Sequence, residues 1–175
     1  MIGVLRIGHR PYRDKRITTH VALVARAFGA QAIWIDCADD RIEANINRVT
    51  RKFGGDFKIK SGVEWKEFIH KWKRNSGTVV HLTMYGMPLD KMSSKLKKEK
   101  DLLLVVGAEK VPHELYRLAD YNLSVSNQPH SEIAALAICL DRLTGGKWID
   151  KEFGGKIKII SSEREKIVKD MGRSG

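Results

Sequence analysis

The run Leu102-Leu103-Leu104-Val105-Val106 has no polar side to turn toward water. A strand alternates its side chains above and below the sheet, so both faces here must be covered, as they are at the centre of a parallel sheet clothed with helices. Short β-type runs alternate with segments of helical period on either side of it. That alternation predicts an α/β fold, a mostly parallel sheet with helices on both faces. The expected strands are 3–7, 32–35, 57–60, 78–83, 102–106 and 121–125.

The helices between them follow from apolar spacing. Val21, Val24, Ala25 and Phe28 fall at i, i+3, i+4 and i+7, with Thr18 or Thr19 expected to cap the start and Gly29 to mark the end. Ile42, Ile46, Val49 and Phe53 form a second stripe, closed by Gly54-Gly55. Trp65, Phe68, Ile69 and Trp72 form a third, and their helical spacing reads as core packing rather than base stacking. A last helix over 131–143 turns Ile133, Leu136, Ala137, Leu140 and Leu143 inward before Thr144-Gly145-Gly146. Beyond it, β-type runs at 148–153 and 156–160 flank Gly154-Gly155, the pattern of a β-hairpin. The tail 161–175 is too charged to fold alone. The chain thus divides into an α/β body, 1–146, and an extension, 147–175. With 175 residues, 42% of them hydrophobic, it has material for one core of ordinary size.

Lys and Arg number 32 against 21 Asp and Glu, a formal charge of +11. Such an excess favours a polyanionic partner. Cys37 and Cys139 have no Cys or His at metal-ligand spacing, so neither a disulfide scaffold nor a zinc site is indicated, and a reducing cytoplasm is the expected compartment. No metal is expected. No apolar run approaches the roughly 20 residues that cross a bilayer, and the start reads as a strand rather than a signal peptide.

Ligands of an open parallel sheet bind where strands end at their carboxyl side. Three such loops are rich in Gly, Pro and small polar residues: 82–88, 107–112 and 126–132. They suit an adenine edge and ribose hydroxyls, yet contain neither G-x-G-x-x-G nor G-x-x-x-x-G-K-[ST], so a dinucleotide or triphosphate cradle is unsupported. Ahead of the first helix, Arg6, His9, Arg10, Arg13, Lys15 and Arg16 surround Tyr12, a set able to neutralise phosphates and stack a base. Asp14 offers one arginine a local partner. Lys91, Lys95, Lys97, Lys98 and Lys100 read as a solvated helix face, with phosphate contact as the second reading. Of the histidines, His9, His20 and His130 lie near the candidate edge, while His70, His81 and His113 read as structural or exposed. Asp36, Asp39 and Asp40 read as carboxylates drawn to a helix N-terminus.

Three segments carry a resemblance: Arg10-Pro-Tyr-Arg-Asp-Lys-Arg-Ile-Thr-Thr-His20, Gly107-Ala-Glu-Lys-Val-Pro112 and Asn127-Gln-Pro-His-Ser-Glu-Ile-Ala-Ala-Leu136. Together they resemble the archaeal tRNA cytidine 2′-O-methyltransferases that act on position 56, a family of the knotted SPOUT superfamily. The resemblance implies a deep trefoil knot in the C-terminal part of the sheet, a homodimer, and S-adenosylmethionine as cofactor. It places Leu82, Gly107, Ala108, Glu109, Lys110, Val111, Val125, Ser126, Asn127, Gln128, Pro129, His130, Ser131 and Glu132 around that cofactor. Arg10, Arg13 and Lys15 become contacts to the tRNA backbone. Many ribose-methylating relatives carry an arginine inside the first long helix, where this chain has Leu23, so the catalytic guanidinium is expected in the preceding loop, at Arg16. Its role would be to stabilise the developing 2′-alkoxide. Two other function classes compete: a non-catalytic basic RNA-binding module, and an RNA methyltransferase that modifies a base.

Overall fold

The computed structural model describes residues 1–108 and 110–172. In chain order these form β1 (Ile2–Ile7), α1 (Lys15–Ala27), β2 (Ala32–Ile35), α2 (Asp40–Phe53), β3 (Lys58–Ser61), α3 (Trp65–Arg74) and β4 (Thr78–Pro88). There follow α4 (Leu89–Leu96), β5 (Leu102–Gly107), α5 (His113–Leu118), β6 (Tyr121–Ser124), α6 (Glu132–Thr144), β7 (Ile157–Ile160) and β8 (Ile167–Asp170). The first six strands make one sheet, in the order β3-β2-β1-β5-β4-β6, and every pairing in it is parallel.

The alternation of strand side chains divides the core in two. Val4, Val80, Leu82, Leu104 and Val106 point to the face covered by α1, α2, α4 and α6, joining Val21, Ile42, Leu96 and Leu140. Leu5, Val79, Leu103 and Val105 point the other way, onto Ile69 of α3 and Leu115 of α5. On that second face Trp34, Phe68 and Trp72 pack with ring centroids 4.7–6.0 Å apart, so the aromatic stripe is core.

One irregularity shapes the rim where the strands end. Leu82 of β4 pairs with Leu123 of β6, and so does Met87, so residues 83–86 bulge out between two registrations with the same neighbour. A Cβ on Gly86 would lie 2.5 Å from the backbone of Asn122 and Leu123, so only glycine lets the two strands meet again after the bulge.

Two expectations need correction. Thr18 and Thr19 lie inside α1, which begins at Lys15 after Asp14, because the Asp14 backbone already starts the helical bonding by accepting from the Thr18 N–H. The C-terminal hairpin exists, but pairs β7 with β8 rather than 148–153 with 156–160, so part of the charged tail is strand. The glycines that suggested the turn serve close approach instead. A Cβ on Gly54 would sit 2.1 Å from the Phe153 carbonyl oxygen, and one on Gly155 would sit 2.2 Å from the Phe53 carbonyl carbon. A bridge between Gly54 and Gly154 joins the extension to the end of α2.

Gly86→Ala is expected to force β4 and β6 apart and lower the unfolding free energy by about 1–3 kcal/mol, the range for overpacking a tight site. Urea denaturation beside the parent chain measures it, and unchanged stability would mean that the strands do not need their close approach.

Candidate functional site

At the carboxyl rim, the ends of β1, β4, β5 and β6 surround a cavity of about 520 Å³. Leu82, Thr83, Met84 and Tyr85 from the bulge form one wall, Gly107, Ala108 and Val111 a second, and Val125, His130, Glu132 and Ala135 a third. Arg10, Arg13, Asp14 and Ile17 close it from the side of the β1–α1 loop. The size falls within the roughly 300–1,000 Å³ usual for small-molecule sites.

The walls are held by polar contacts between loops distant in sequence. The Asn127 side-chain amide donates to the carbonyls of Met84, at 2.6 Å, and Gly86, at 3.3 Å, and so clamps the bulge. Ser131 caps α6, its hydroxyl accepting from the N–H groups of Ile133 and Ala134. Gly107 is needed where it stands, since a Cβ there would lie 1.9 Å from a methyl of Val111.

A guanidinium joins two of the walls. Arg6, 1% exposed in the middle of an otherwise apolar strand, donates from Nη1 to the Gly107 carbonyl and from Nη2 to Glu132 Oε1 at 3.0 Å. The spacing of strand residues offered no sign of this, because the partners lie 101 and 126 positions away.

The loop bearing Arg10 and Arg13 is fixed from below. Asp36 accepts from the backbone N–H groups of Gly8 and His9. Beneath it, the His9 ring is buried between Thr18, at 2.9 Å, and Asp39, at 3.2 Å. Asp39 also caps α2 by accepting from Arg41 and Ile42. Burial works against its charge, but the bonds from His9, Ile42 and Arg41 prevail and hold its carboxyl below the usual carboxylate range. Asp14 accepts from Arg10 Nε at 2.7 Å and Nη2 at 3.0 Å, and this pairing, opposed by burial, lowers its pKa as well.

His81, read from the sequence as structural or exposed, is buried and lines the cavity. Its Nδ1 lies 2.8 Å from Asn122 Oδ1, and its ring stands edge-on to Tyr116 with centroids 4.7 Å apart. Burial lowers its pKa, against the raising effect of the Asn122 bond. The Cys139 thiol is pushed up to about 12 by burial, which removes it as a nucleophile. Among the described residues, no three His, Cys, Asp or Glu side chains group to hold a metal ion.

Of the residues the resemblance assigns, Leu82, Gly107, Ala108, Val111, Val125, His130, Glu132, Arg10 and Arg13 line this one cavity. Asn127 and Ser131 act on its walls; Lys110, Ser126, Gln128 and Pro129 lie exposed on the same loops. Glu109 falls outside the described residues. Lys15 and Arg16 do not reach the cavity of their own chain. They line a shallow depression with Tyr12, Arg13, Thr19 and His20, adjoining the cavity through Arg13, which belongs to both. Arg16 is turned to solvent because the inner side of α1 is taken by Thr18, Val21, Ala22 and Ala25.

Residues 53–169 match the family model described as "tRNA ribose 2′-O-methyltransferase, aTrm56". The tRNA (cytidine(56)-2′-O)-methyltransferase of Picrophilus torridus is 57% identical over 97% of this chain, which spans about half, 49%, of that protein. The enzyme of the same name from Thermococcus kodakarensis is 53% identical over 96% of each chain. Among solved structures, the SpoU methyltransferase AviRb of Streptomyces viridochromogenes, in complex with the cofactor AdoMet, superposes with a TM-score of 0.59 at 18% identity. That match covers 83% of this chain and 57% of the other, and shows a shared fold.

Because an Asp with a lowered folded pKa stabilises most above its unfolded value, the Asp14 contribution is complete at neutral pH and is lost as pH falls through the lowered value. Asp14→Asn is therefore expected to reduce stability at pH 7 and to flatten the decline below about pH 4. The loss should be less than the about 1.5–3 kcal/mol of a hydrogen bond to a charged group, since Arg10 reaches water. Thermal unfolding from pH 2 to 7 decides it, and parallel curves for both proteins would contradict the pairing.

Proposed function

Because the chain belongs to the tRNA ribose 2′-O-methyltransferase family, we propose that it methylates the ribose 2′-hydroxyl of cytidine 56 in tRNA, with S-adenosylmethionine as donor. The observation that carries this reading is a single cavity in which the ends of β4, β5 and β6 meet two arginines of the β1–α1 loop. One half suits a nucleoside, the other a phosphate.

The residues present fit the cofactor. Leu82, Val111 and Val125 give apolar surface for a flat base, and Gly107, Ala108 and His130 line the same cavity on the loops after β5 and β6. Glu132 and Asp14 supply the carboxylates of a lining that also holds Arg6, Arg10 and Arg13. When bound, S-adenosylmethionine supplies a methyl group on a positively charged sulfur. The rim residues would hold the ribose 2′-oxygen in line with that methyl group and steady it as its proton is lost, to Arg16 or to water. Orientation then supplies much of the rate, roughly 7–11 kcal/mol in well-aligned intramolecular reactions. Arg10, Arg13 and Lys15 hold the RNA backbone by neutralising phosphates.

Arg16 is the guanidinium that stabilises the developing alkoxide. Since it lies outside its own chain's cavity, it serves the cavity of a second copy in a homodimer. The chain leaving β6 runs against the chain leaving β4, where Asn127 binds Met84 and Gly86, and this proximity supports a trefoil knot. In this reading 1–146 is the methyltransferase body, 147–175 an extension, and the setting cytoplasmic; among the described residues no helix is long and apolar enough to cross a membrane.

Mass spectrometry of nucleosides from tRNA treated with protein and cofactor should show 2′-O-methylcytidine. A methyl group on the ring would move the activity to base modification, and no transfer together with no cofactor binding by calorimetry would leave an RNA-binding module. Arg16→Ala should cut turnover about 10²–10³-fold, the effect of losing one oxyanion donor, with little change in cofactor affinity. Mixing Arg16→Ala subunits with Gly107→Val subunits, whose cavity is blocked, should restore activity absent from either alone. No recovery would return the role to Arg10 or Arg13 of the same chain.

A further inference from the structure

His81 sits on the inner wall of the cavity with its two ring nitrogens in different circumstances. The Tyr116 backbone carbonyl can only accept, and it lies 2.8 Å from Asn122 Nδ2, so the Asn122 amide must turn its NH₂ that way. Its Oδ1 then faces His81 Nδ1 at 2.8 Å, and the proton of a neutral imidazole must sit on Nδ1. Nε2 is left with a bare lone pair, and among the described residues no group donates to it. The ring cannot turn to hide that nitrogen, since Tyr116 packs edge-on against it and is itself anchored through its hydroxyl to Thr83 at 3.1 Å.

His81 is 1% exposed, and the surface it keeps is on the wall of the cavity, so an open acceptor there meets whatever fills the cavity. We propose that His81 Nε2 accepts a hydrogen bond from an N–H or O–H group of the nucleoside cofactor, with Asn122 and Tyr116 as positioning residues that fix its tautomer. The proposal rests on the function proposed above and names a recognition contact within that site. The cofactor rather than the RNA is the donor because His81 lies in the cavity's depth, on β4, whereas the exposed Arg10 and Arg13 stand at its mouth. A small molecule that enters the cavity reaches that depth, while a polymer held at the arginines stays outside. An amino or hydroxyl donor satisfies the acceptor, and a second acceptor placed there is repelled.

Nitrogen-15 NMR of histidine-labelled protein tests it, using S-adenosylhomocysteine as the probe. The free protein should show His81 with Nδ1 protonated and Nε2 bare, and the Nε2 resonance should move toward the hydrogen-bonded range on titration. Two variants separate recognition from support. His81→Asn keeps a donor toward Asn122 but lacks the outer acceptor, whereas His81→Gln places an oxygen near the position of Nε2. His81→Asn should weaken S-adenosylhomocysteine binding about five- to tenfold by calorimetry, and His81→Gln less than about twofold, in line with one net hydrogen bond.

The reverse order, with His81→Gln the weaker binder, would show that the Asn122 bond matters and overturn the proposal. So would an Nε2 resonance that moves only when tRNA is added, or one unmoved while the wild-type protein binds the probe; the function proposed above survives both of these results. A wild-type protein that binds no S-adenosylhomocysteine overturns both readings.

Discussion

A charge inside the sheet governs the geometry of the rim. Arg6 lies between Leu5 and Ile7 in β1, out of reach of water, where an ion's desolvation costs several kcal/mol unless its donors find partners. Two of them do: the Gly107 carbonyl at the end of β5 and the Glu132 carboxylate at the start of α6. A guanidinium is planar and presents its donors in a fixed fork, so it sets the distance between those partners as well as binding them. The same two residues form adjacent walls of the cavity. A buried ion pair adds little stability over an apolar pair of similar volume, so the value of Arg6 lies in position. Nε, buried and without a partner among the described residues, shows that the position is kept at some cost.

The β1–α1 loop is held by the same logic applied from beneath. Its arginines face outward, but its backbone is tied to Asp36, and the His9 ring is trapped between Thr18 and Asp39. Asp39 in turn donates its backbone N–H to the Ser61 hydroxyl, and that hydroxyl donates to Glu43. The chain of contacts runs from the first loop through the ends of β2 and β3, which makes an exposed segment part of the folded body. Loops anchored in this way place functional side chains on a scaffold without burying them.

The sheet was legible in the sequence because its central strands are buried on both faces, so apolar runs and helical stripes alternate with little ambiguity. Ser131 and Gly145 bracket α6 as their chemistry suggests, with Gly145 in the left-handed conformation. What could not be read depends on partners far along the chain. The bulge at 83–86 exists only in relation to β6, and the run containing Val80, His81 and Leu82 reads as ordinary strand until Asn122 and Tyr116 are placed beside it. Gly54-Gly55 and Gly154-Gly155 look like two stops, yet they are the two sides of one close approach, which is why the expected hairpin turn fell in the wrong place. The loops of the candidate site were identified from their position after strands. The division of labour within them was not, since a serine that caps a helix and a serine that meets a ligand are the same letter.

Burial sorts the polar groups at the rim by what each must do. Arg10, Arg13, Lys15 and Arg16 remain exposed, where hydration makes a charge inexpensive and where binding a phosphate releases counterions into solution. For the phosphate contacts proposed for Arg10, Arg13 and Lys15, sign matters more than individual direction. Arg6, His9, Asp14 and His81 are buried, where an unsatisfied group is expensive and a satisfied one has a single orientation. A site that reads the shape of a small molecule needs fixed donors and acceptors. A surface that gathers a polyanion needs only sign and density. Under the function proposed above, both lie at one edge of this sheet and meet at Arg13, where a sugar carried on a phosphate backbone would come to face a ligand seated against the strands.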